Sequence, residues 1–354
     1  MKKLRDYLLE LDELHGVSGD EEMVANYLME NMQPISDDFY QDNLGNLVFI
    51  KKGTDPNYKI MLSAHMDEIG YVVRYIDKMG FVYIFPVGIH DPRMAINQFL
   101  SINTSKGIVT GVTGSKPSHI VSREEASKTI PIDQIYVDVG TSSRLETEEL
   151  GVQVGDYVSF ARKGQFLNGG KVYAGKSIDN RAGCAVLIQV MKELQHLEIV
   201  PTVYAVVTVQ EEIGIRGAGP AAFGIEPDLA LAIDVVFAGG TPGTPEQALP
   251  IKMGSGPAIK FFDWSLKTFN GNAVPKKLTN QLMSSAQKHD IPFQRDVMIA
   301  GATDGAKISL AGKGVLTGGV SIPMRYMHTA VGCVHMDDMN HSVSLIKEFM
   351  VDTK

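Results

Sequence analysis

The sequence predicts an α/β fold: a mostly parallel sheet between two layers of helices, making three layers, with a small β-barrel-like domain inserted into the chain. Apolar runs of strand length alternate with segments of helical spacing over most of the chain, which is typical of a buried parallel sheet. Residues 70–162 instead contain short β-rich runs separated by Gly, Pro, Asp and Ser turns, which indicates a barrel or sandwich. We therefore expect one discontinuous domain at 1–69 and 163–354 and an inserted domain at 70–162.

The composition limits the classes of partner. The chain has 354 residues, 44% of them hydrophobic, which is enough for a large core. Its net charge of −8 argues against nucleic-acid or membrane binding, because both need a basic surface. Cys184 and Cys333 are too few for a disulfide framework, and no apolar run approaches the ~20 residues of a membrane span. We expect a cytoplasmic protein that acts on a small molecule, a peptide or another protein.

The N-terminal region predicts two helices followed by two strands. The first helix is indicated by apolar residues at helical spacing: Leu4, Tyr7, Leu8, Leu11 and Leu14. Ser18 with Glu21 predicts a capping box that opens a second helix ending near Met32. Leu47–Lys51 and Lys59–Ala64 are expected to be strands. The inserted domain then supplies further short strands at Tyr71–Ile76, Phe81–Val87, Gly107–Val112, Gln134–Val139 and Tyr157–Phe160.

From Ser177 onward the α/β pattern resumes. A helix opens at 177–181, and the apolar runs Val203–Val209 and Leu229–Ile233 are expected to be buried strands. A Gly/Pro-rich loop at 239–250 covers the end of the second of these strands. The remaining elements are predicted, in order, as a helix at 275–289, a strand at 293–299, a turn at 301–305, a strand at 314–321 and a helix at 342–351.

Carboxylate and imidazole side chains follow the ends of the apolar strands or open the helix beside them. They are, in chain order, His65 with Asp67, Asp179, Glu211 with Glu212, Asp234 and His328. Because the carboxyl ends of parallel strands lie at one edge of the sheet, we expect these side chains to meet there. Buried acids need a cation, and imidazole with carboxylate but no thiolate fits zinc, cobalt or manganese. The pattern therefore predicts a hydrolytic metal site.

The number of candidate ligands predicts two metal ions. Three protein ligands and a water are enough for one catalytic zinc ion, and the surplus fits two ions about 3.5–4 Å apart. The adjacent Glu211 and Glu212 would then supply a general base and a ligand, while Asp67 would orient the ring of His65. For the glutamate pair alone, an alternative is that one faces solvent and the other pairs with Arg216.

Eight motifs of the sequence resemble the M42 family of metallo-aminopeptidases, which includes glutamyl aminopeptidases and tetrahedral aminopeptidases. They are AHMDEIG at 64–70, GSKPSH at 114–119, SIDNRAG at 177–183, VQEEIGIRGA at 209–218, AIDV at 232–235, TPGTPE at 241–246, TDGAKI at 303–308 and SIPMRYMH at 321–328. The resemblance covers nearly the whole chain. It implies an α/β peptidase domain interrupted by a β-barrel-like domain used for dimerisation.

The same resemblance implies two divalent ions per subunit, zinc or cobalt in first place and manganese as a further option. One ion would be held by His65, Asp179 and Asp234, and the other by Asp179, Glu212 and His328. Asp179 would bridge the two ions. Many members carry an acidic residue near 331–333, where this chain reads Val-Gly-Cys, but no implied ligand is lost.

The implied activity is removal of N-terminal residues from short peptides, with Glu211 as general base and Asp67 as its support. Members commonly assemble from dimers into hollow tetrahedral dodecamers. Two alternatives stay open: a related metal-dependent deacylase or carboxypeptidase with the same ligands, and a catalytically silent self-assembling scaffold. The preferred N-terminal residue is also open, with Lys260 and Arg216 as cations that would favour an acidic one.

Two histidines of the inserted domain need a separate interpretation. His90 and His119 lie beside Pro-containing turns. We expect both to have structural roles, and the alternative is that a dimer places one of them near the active site of the neighbouring subunit.

Overall fold

The structure, a computed structural model, describes residues 2–354. The helices are α1 Leu4–Glu13, α2 Glu22–Met32, α3 Arg123–Ala126, α4 Arg144–Glu149, α5 Ile178–Leu194, α6 Ala218–Ile225, α7 Lys276–Lys288, α8 Gly305–Ile308 and α9 Met336–Asp352. The strands up to residue 160 are β1 Asp38–Gln41, β2 Leu47–Lys51, β3 Asp55–His65, β4 Gly70–Ile76, β5 Val82–Val87, β6 Phe99–Thr104, β7 Gly107–Val112, β8 Tyr136–Val137 and β9 Tyr157–Phe160. The later strands are β10 Gln165–Leu167, β11 Val172–Gly175, β12 Pro201–Thr208, β13 Leu229–Phe237, β14 Ala258–Ser265, β15 Asn270–Ala273, β16 Gln294–Met298, β17 Leu316–Arg325 and β18 Gly332–His335.

A large mixed sheet forms the centre of the molecule. Its strand order is β1-β2-β12-β3-β13-β17-β18-β11-β10, and β14 pairs with β17 and carries β15 and β16. The four central strands, β12, β3, β13 and β17, are parallel, whereas the pairs at both flanks are antiparallel. The carboxyl ends of the parallel strands therefore lie along one edge.

Helices cover both faces of this sheet, because its central strands are apolar on both sides. In β12, Val203, Ala205 and Val207 pack into the main core with α1, α2, α5, α7 and α9. Val206 points to the opposite face and packs with α6 and α8. The predicted three-layer α/β arrangement is confirmed.

The second sheet is antiparallel and nearly closed. Its order is β7-β6-β9-β4-β5-β8, and its side chains form a separate core. Two backbone hydrogen bonds between Val112 and Asp138, of 2.9 and 2.8 Å, join the two outer strands. All six strands lie between Gly70 and Phe160, which confirms the predicted barrel-like fold.

Several details differ from the sequence predictions. The capping box at Ser18 and Glu21 is wrong, because α2 begins without a side-chain cap and the Ser18 hydroxyl donates to Asp67 at 2.6 Å. The predictions missed β6 and several short strands, and α9 begins six residues earlier than expected, at Met336. Within residues 2–354, no helix is long and apolar enough to cross a membrane.

Candidate metal centre

The edge formed by β3, β12, β13 and β17 brings the predicted ligands together in two groups. In the first, Nε2 of His65 lies 3.2 Å from Oδ1 of Asp179 and 3.7 Å from Oδ1 of Asp234. In the second, Nε2 of His328 lies 3.4 Å from Oδ2 of Asp179 and 3.4 Å from Oε2 of Glu212. Within each group the potential ligand atoms all lie within 4.8 Å of one another. The two oxygens of Asp179 thus face different histidines.

Asp179 is held at this position by the irregular start of α5. Its ψ of 105° is not helical, and its peptide bond to Asn180 is cis. The Asn180 side chain donates to the carbonyl of Ile233 at 2.8 Å and accepts from the backbone N–H of Gly183 at 3.0 Å. These bonds tie the helix start to β13, the strand that carries Asp234.

The Asp67 carboxylate links the segment after β3 to Ser18 and to the glutamate pair after β12. Its two carboxylate oxygens accept the backbone N–H groups of Glu211 at 3.0 Å and Glu212 at 3.1 Å. The nearest hydrogen-bond partner of the His65 Nδ1 is the backbone carbonyl of Asp67 at 3.1 Å, while Oδ1 lies 3.5 Å away. The Asp67 carboxylate therefore mainly positions the glutamate pair. Ser18, which also donates to it, was missed because a serine before a helix is ordinarily read as a cap.

The carboxyl groups of the site are crowded and removed from water. Burial raises the pKa of Glu212 to about 8 and the pKa of Glu211 well above its usual range. Burial lowers the pKa of His328, but the nearby carboxylates of Glu212 and Asp179 outweigh it and raise the pKa to about 10. A site that perturbs the pKa values of so many groups is typical of catalytic centres.

The donor set fits divalent metal ions. The Glu212 side chain is only 4% exposed, and its Oε1 has no hydrogen-bond partner among residues 2–354. A buried carboxylate oxygen without a donor is costly unless a cation binds it.

The alternative in which a glutamate of the pair bonds to Arg216 is wrong, because Arg216 is exposed and Glu212 faces His328. Cys184 is not a candidate ligand, since its Sγ contacts the backbone carbonyl of His65 at 3.2 Å.

The other sequence candidates lie outside these two groups. Lys260 is buried and forms an ion pair with Asp296, so its charge is already neutralised inside the protein. His119 lies in an exposed turn of the inserted segment. His90 is partly buried, and its ring lies against Tyr71 with 4.5 Å between the ring centroids and 35° between the ring planes.

Comparison with known proteins identifies the family. The sequence profile described as M42 glutamyl aminopeptidase matches residues 45–345. The chain belongs to the M42 family of aminopeptidases. These enzymes are metal-dependent peptide hydrolases, so the family and enzyme class predicted from the sequence are confirmed.

Three relatives show how far the similarity of this M42 aminopeptidase extends. The lysyl aminopeptidase of Pyrococcus furiosus is 33% identical over 96% of this chain and 94% of its own. The aminopeptidase APDkam598 of the archaeon Desulfurococcus kamchatkensis has a TM-score of 0.93 and 36% identity, covering 99% of this chain and 96% of its own. The Pyrococcus horikoshii TET1 peptidase has a TM-score of 0.87 and 30% identity, covering 99% of this chain and 100% of its own.

The raised pKa values predict how the stability of the metal-free enzyme depends on pH. Glu212 has a pKa of about 8 instead of 4.5, so the folded protein holds a proton that the unfolded chain has lost. The pKa of His328, raised from 6.5 to about 10, acts in the same direction, because its stabilising contribution is lost as the pH rises toward that value. We expect the Tm of chelated enzyme to fall between about pH 6 and about pH 9.

The measurement is thermal unfolding of chelated and metal-loaded enzyme across this pH range. Metal binding needs the deprotonated ligands, so added metal should stabilise the enzyme most at the upper end. A Tm of the chelated enzyme that rises with pH would contradict the prediction.

Proposed function

We propose that this M42 aminopeptidase holds two divalent metal ions in its two ligand groups. His65, Asp179 and Asp234 would hold one ion, and Asp179, Glu212 and His328 the other. The observation that carries this proposal is the placement of Asp179, whose two oxygens lie 3.2 and 3.4 Å from two different imidazole nitrogens. Carboxylate and imidazole ligands favour zinc, cobalt or manganese as the metal.

We assign the general base to Glu211. Two ions held there would lower the pKa of a water at the site and would polarise the scissile carbonyl. The Glu211 carboxylate takes the proton of the attacking water and returns it to the leaving amine. Asp67 supports this role, because it fixes the backbone N–H of Glu211 at 3.0 Å and that of Glu212 at 3.1 Å.

The substrates we propose are short peptides with a free N-terminus. The site is rich in carboxylates, which favours an ammonium group next to the metal ions. The relative from Pyrococcus furiosus is named a lysyl aminopeptidase, and the family profile is described as glutamyl aminopeptidase. Among residues 2–354, the cations considered for an acidic side chain are exposed, as Arg216 is, or neutralised, as Lys260 is.

We also propose a cytoplasmic homo-oligomer in which dimers assemble into a tetrahedral dodecamer. The TET1 peptidase from Pyrococcus horikoshii is described as able to assemble into a tetrahedron or a large octahedral shell. The proposed inserted domain, 70–162, carries exposed apolar side chains suited to a dimer interface: Phe85, Phe99 and Ile108. It has its own core, which supports its separation from the catalytic domain at 1–69 and 163–354.

A substrate panel tests this function. Aminoacyl chromogenic substrates and their N-acetylated counterparts are assayed on chelated enzyme restored with zinc, cobalt or manganese in turn. We expect cleavage of free-amine substrates only, and only with metal. Equal cleavage of blocked substrates would favour a deacylase. Release of residues from the carboxyl end of peptides would favour a carboxypeptidase. An inactive protein that binds no metal would favour a scaffold.

A further inference from the structure

The loop that follows β5 reaches from the six-stranded sheet to the metal centre. The backbone carbonyl of Ile89 lies 3.0 Å from Nδ1 of His328. A Cβ placed on Gly88 would lie 3.6 Å from the Cβ of Glu212. The backbone of this loop therefore lies against two residues of the second ligand group.

The Ile89 carbonyl selects the nitrogen with which His328 can bind a metal ion. An imidazole that binds a metal ion is neutral and has one N–H, and a carbonyl oxygen accepts only from that nitrogen. Donation from Nδ1 leaves the lone pair on Nε2, which lies 3.4 Å from carboxylate oxygens of both Asp179 and Glu212. Among residues 2–354, the Nδ1 atom has no other hydrogen-bond partner than Ile89. The His328 side chain is 28% exposed, so the hydrogen bond from Nδ1 to the Ile89 carbonyl is needed to fix the orientation of the ring.

His90 anchors this loop to the core of the six-stranded sheet. Its Nε2 donates to the carbonyl of Val87 at 3.0 Å, which closes the loop on itself. Its ring packs against Tyr71 of β4 in a tilted arrangement, and Tyr71 packs edge-on against Phe160 at 5.8 Å between the ring centroids. Burial lowers the pKa of His90 to about 4, so the ring is neutral at pH 7 and donates through a single N–H.

Gly88 makes the close approach of the loop possible. Its φ is +87°, a backbone conformation that favours glycine. A Cβ at this position would lie 2.7 Å from Cγ2 of Ile69, so any side chain would push the loop away from the catalytic domain.

We propose that His90 is a positioning residue that holds the Ile89 carbonyl on His328, so that the inserted domain sets the affinity of the second metal site. This inference rests on the proposed assignment of two ions. It gives the inserted domain a direct part in the metal centre of its own subunit.

The test is titration of the chelated protein with Zn²⁺, followed by equilibrium dialysis and metal analysis. His90→Phe keeps the aromatic contact with Tyr71 but removes the Nε2–H group that donates to the Val87 carbonyl. We expect one of the two binding steps to weaken by about 10–100-fold, as is typical when the partner of a metal-binding histidine is lost, and the other to stay within about two-fold. His196→Phe is the matched control, because His196 is exposed and lies outside the loop, and it should bind both ions like the wild type.

Two further variants separate positioning from general damage to the fold. Gly88→Ala should weaken the same step, because the added Cβ displaces the Ile89 carbonyl while His90 itself is unchanged. In a His328→Ala background, His90→Phe should change neither step, because the ring that it positions is gone. Unchanged binding in both loop variants, equal weakening of both steps, or a full effect of His90→Phe in the His328→Ala background would overturn the inference. Fewer than two ions on the wild-type protein would overturn the two-ion assignment and this inference with it.

Discussion

We expect replacing Glu211 with Gln to lower kcat by about 10²–10⁴-fold, the range of a lost general base, and to leave the metal content of the enzyme unchanged. Glutamine has nearly the same shape as glutamate, but its amide cannot take a proton from water at neutral pH. Glu211 belongs to neither of the two ligand groups, so its change removes no ligand. The measurement combines kcat on an aminoacyl chromogenic substrate with metal analysis of the same sample.

The neighbouring Glu212 supplies the matched control. Glu212→Gln makes the same chemical change one residue along, at a side chain that faces His328 at 3.4 Å. We expect this variant to lose metal from the second site, and part of its activity to return at high metal concentration. Near-normal turnover of Glu211→Gln at unchanged metal content would show that another group acts as the base.

Replacing Glu68 with Gln destabilises the enzyme by about 3–5 kcal/mol, the usual cost of breaking a buried ion pair. Both oxygens of Glu68 accept from Nζ of Lys176, at 2.6 and 2.7 Å, and Arg181 lies 3.5 Å away. Asp12 is a second buried acid nearby, but its side chain accepts from Ser177 and Tyr173 and forms no ion pair with these cations. Glu68→Gln leaves the buried Lys176 and Arg181 without their carboxylate partner.

Urea unfolding of the metal-loaded enzyme measures this loss. The double variant Glu68→Gln with Lys176→Met restores the charge balance, and we expect it to cost less than the sum of the two single changes. The exposed pair of Lys128 and Glu124 gives a surface control, and Glu124→Gln should leave the urea midpoint unchanged. Equal midpoints for Glu68→Gln and the wild type would mean that solvent reaches this ion pair.

The sequence was sufficient to predict that the candidate ligands lie together, because their positions follow from strand topology. His65 ends β3, and Asp234 lies on the parallel neighbour β13, so their meeting required only the rule that the carboxyl ends of parallel strands lie together. Glu211 and Glu212 follow β12 in the same way. The residue types of these side chains, an imidazole and carboxylates, already indicate metal-binding chemistry in the sequence.

The contacts that orient the ligands could not be predicted in this way. Ile89 acts through its backbone carbonyl, which every residue has, so no residue type marks it. Ser18 bonds to a carboxylate 49 positions away, although its local sequence is that of a helix cap. Lys260 is a candidate cation for an acidic substrate side chain by sequence, but its partner Asp296 lies 36 positions further along the chain. Such long-range pairings depend on the completed fold.

The bonds between Val112 and Asp138 have a consequence for self-association. They pair the end of β7 with the residue that follows β8, so the row of unpaired backbone groups that a second subunit could extend by strand addition is shortened there. We therefore expect recognition between copies through this domain to depend mainly on which side chains its outer face presents. Point substitutions on that face should therefore control pairing of subunits without altering the barrel itself.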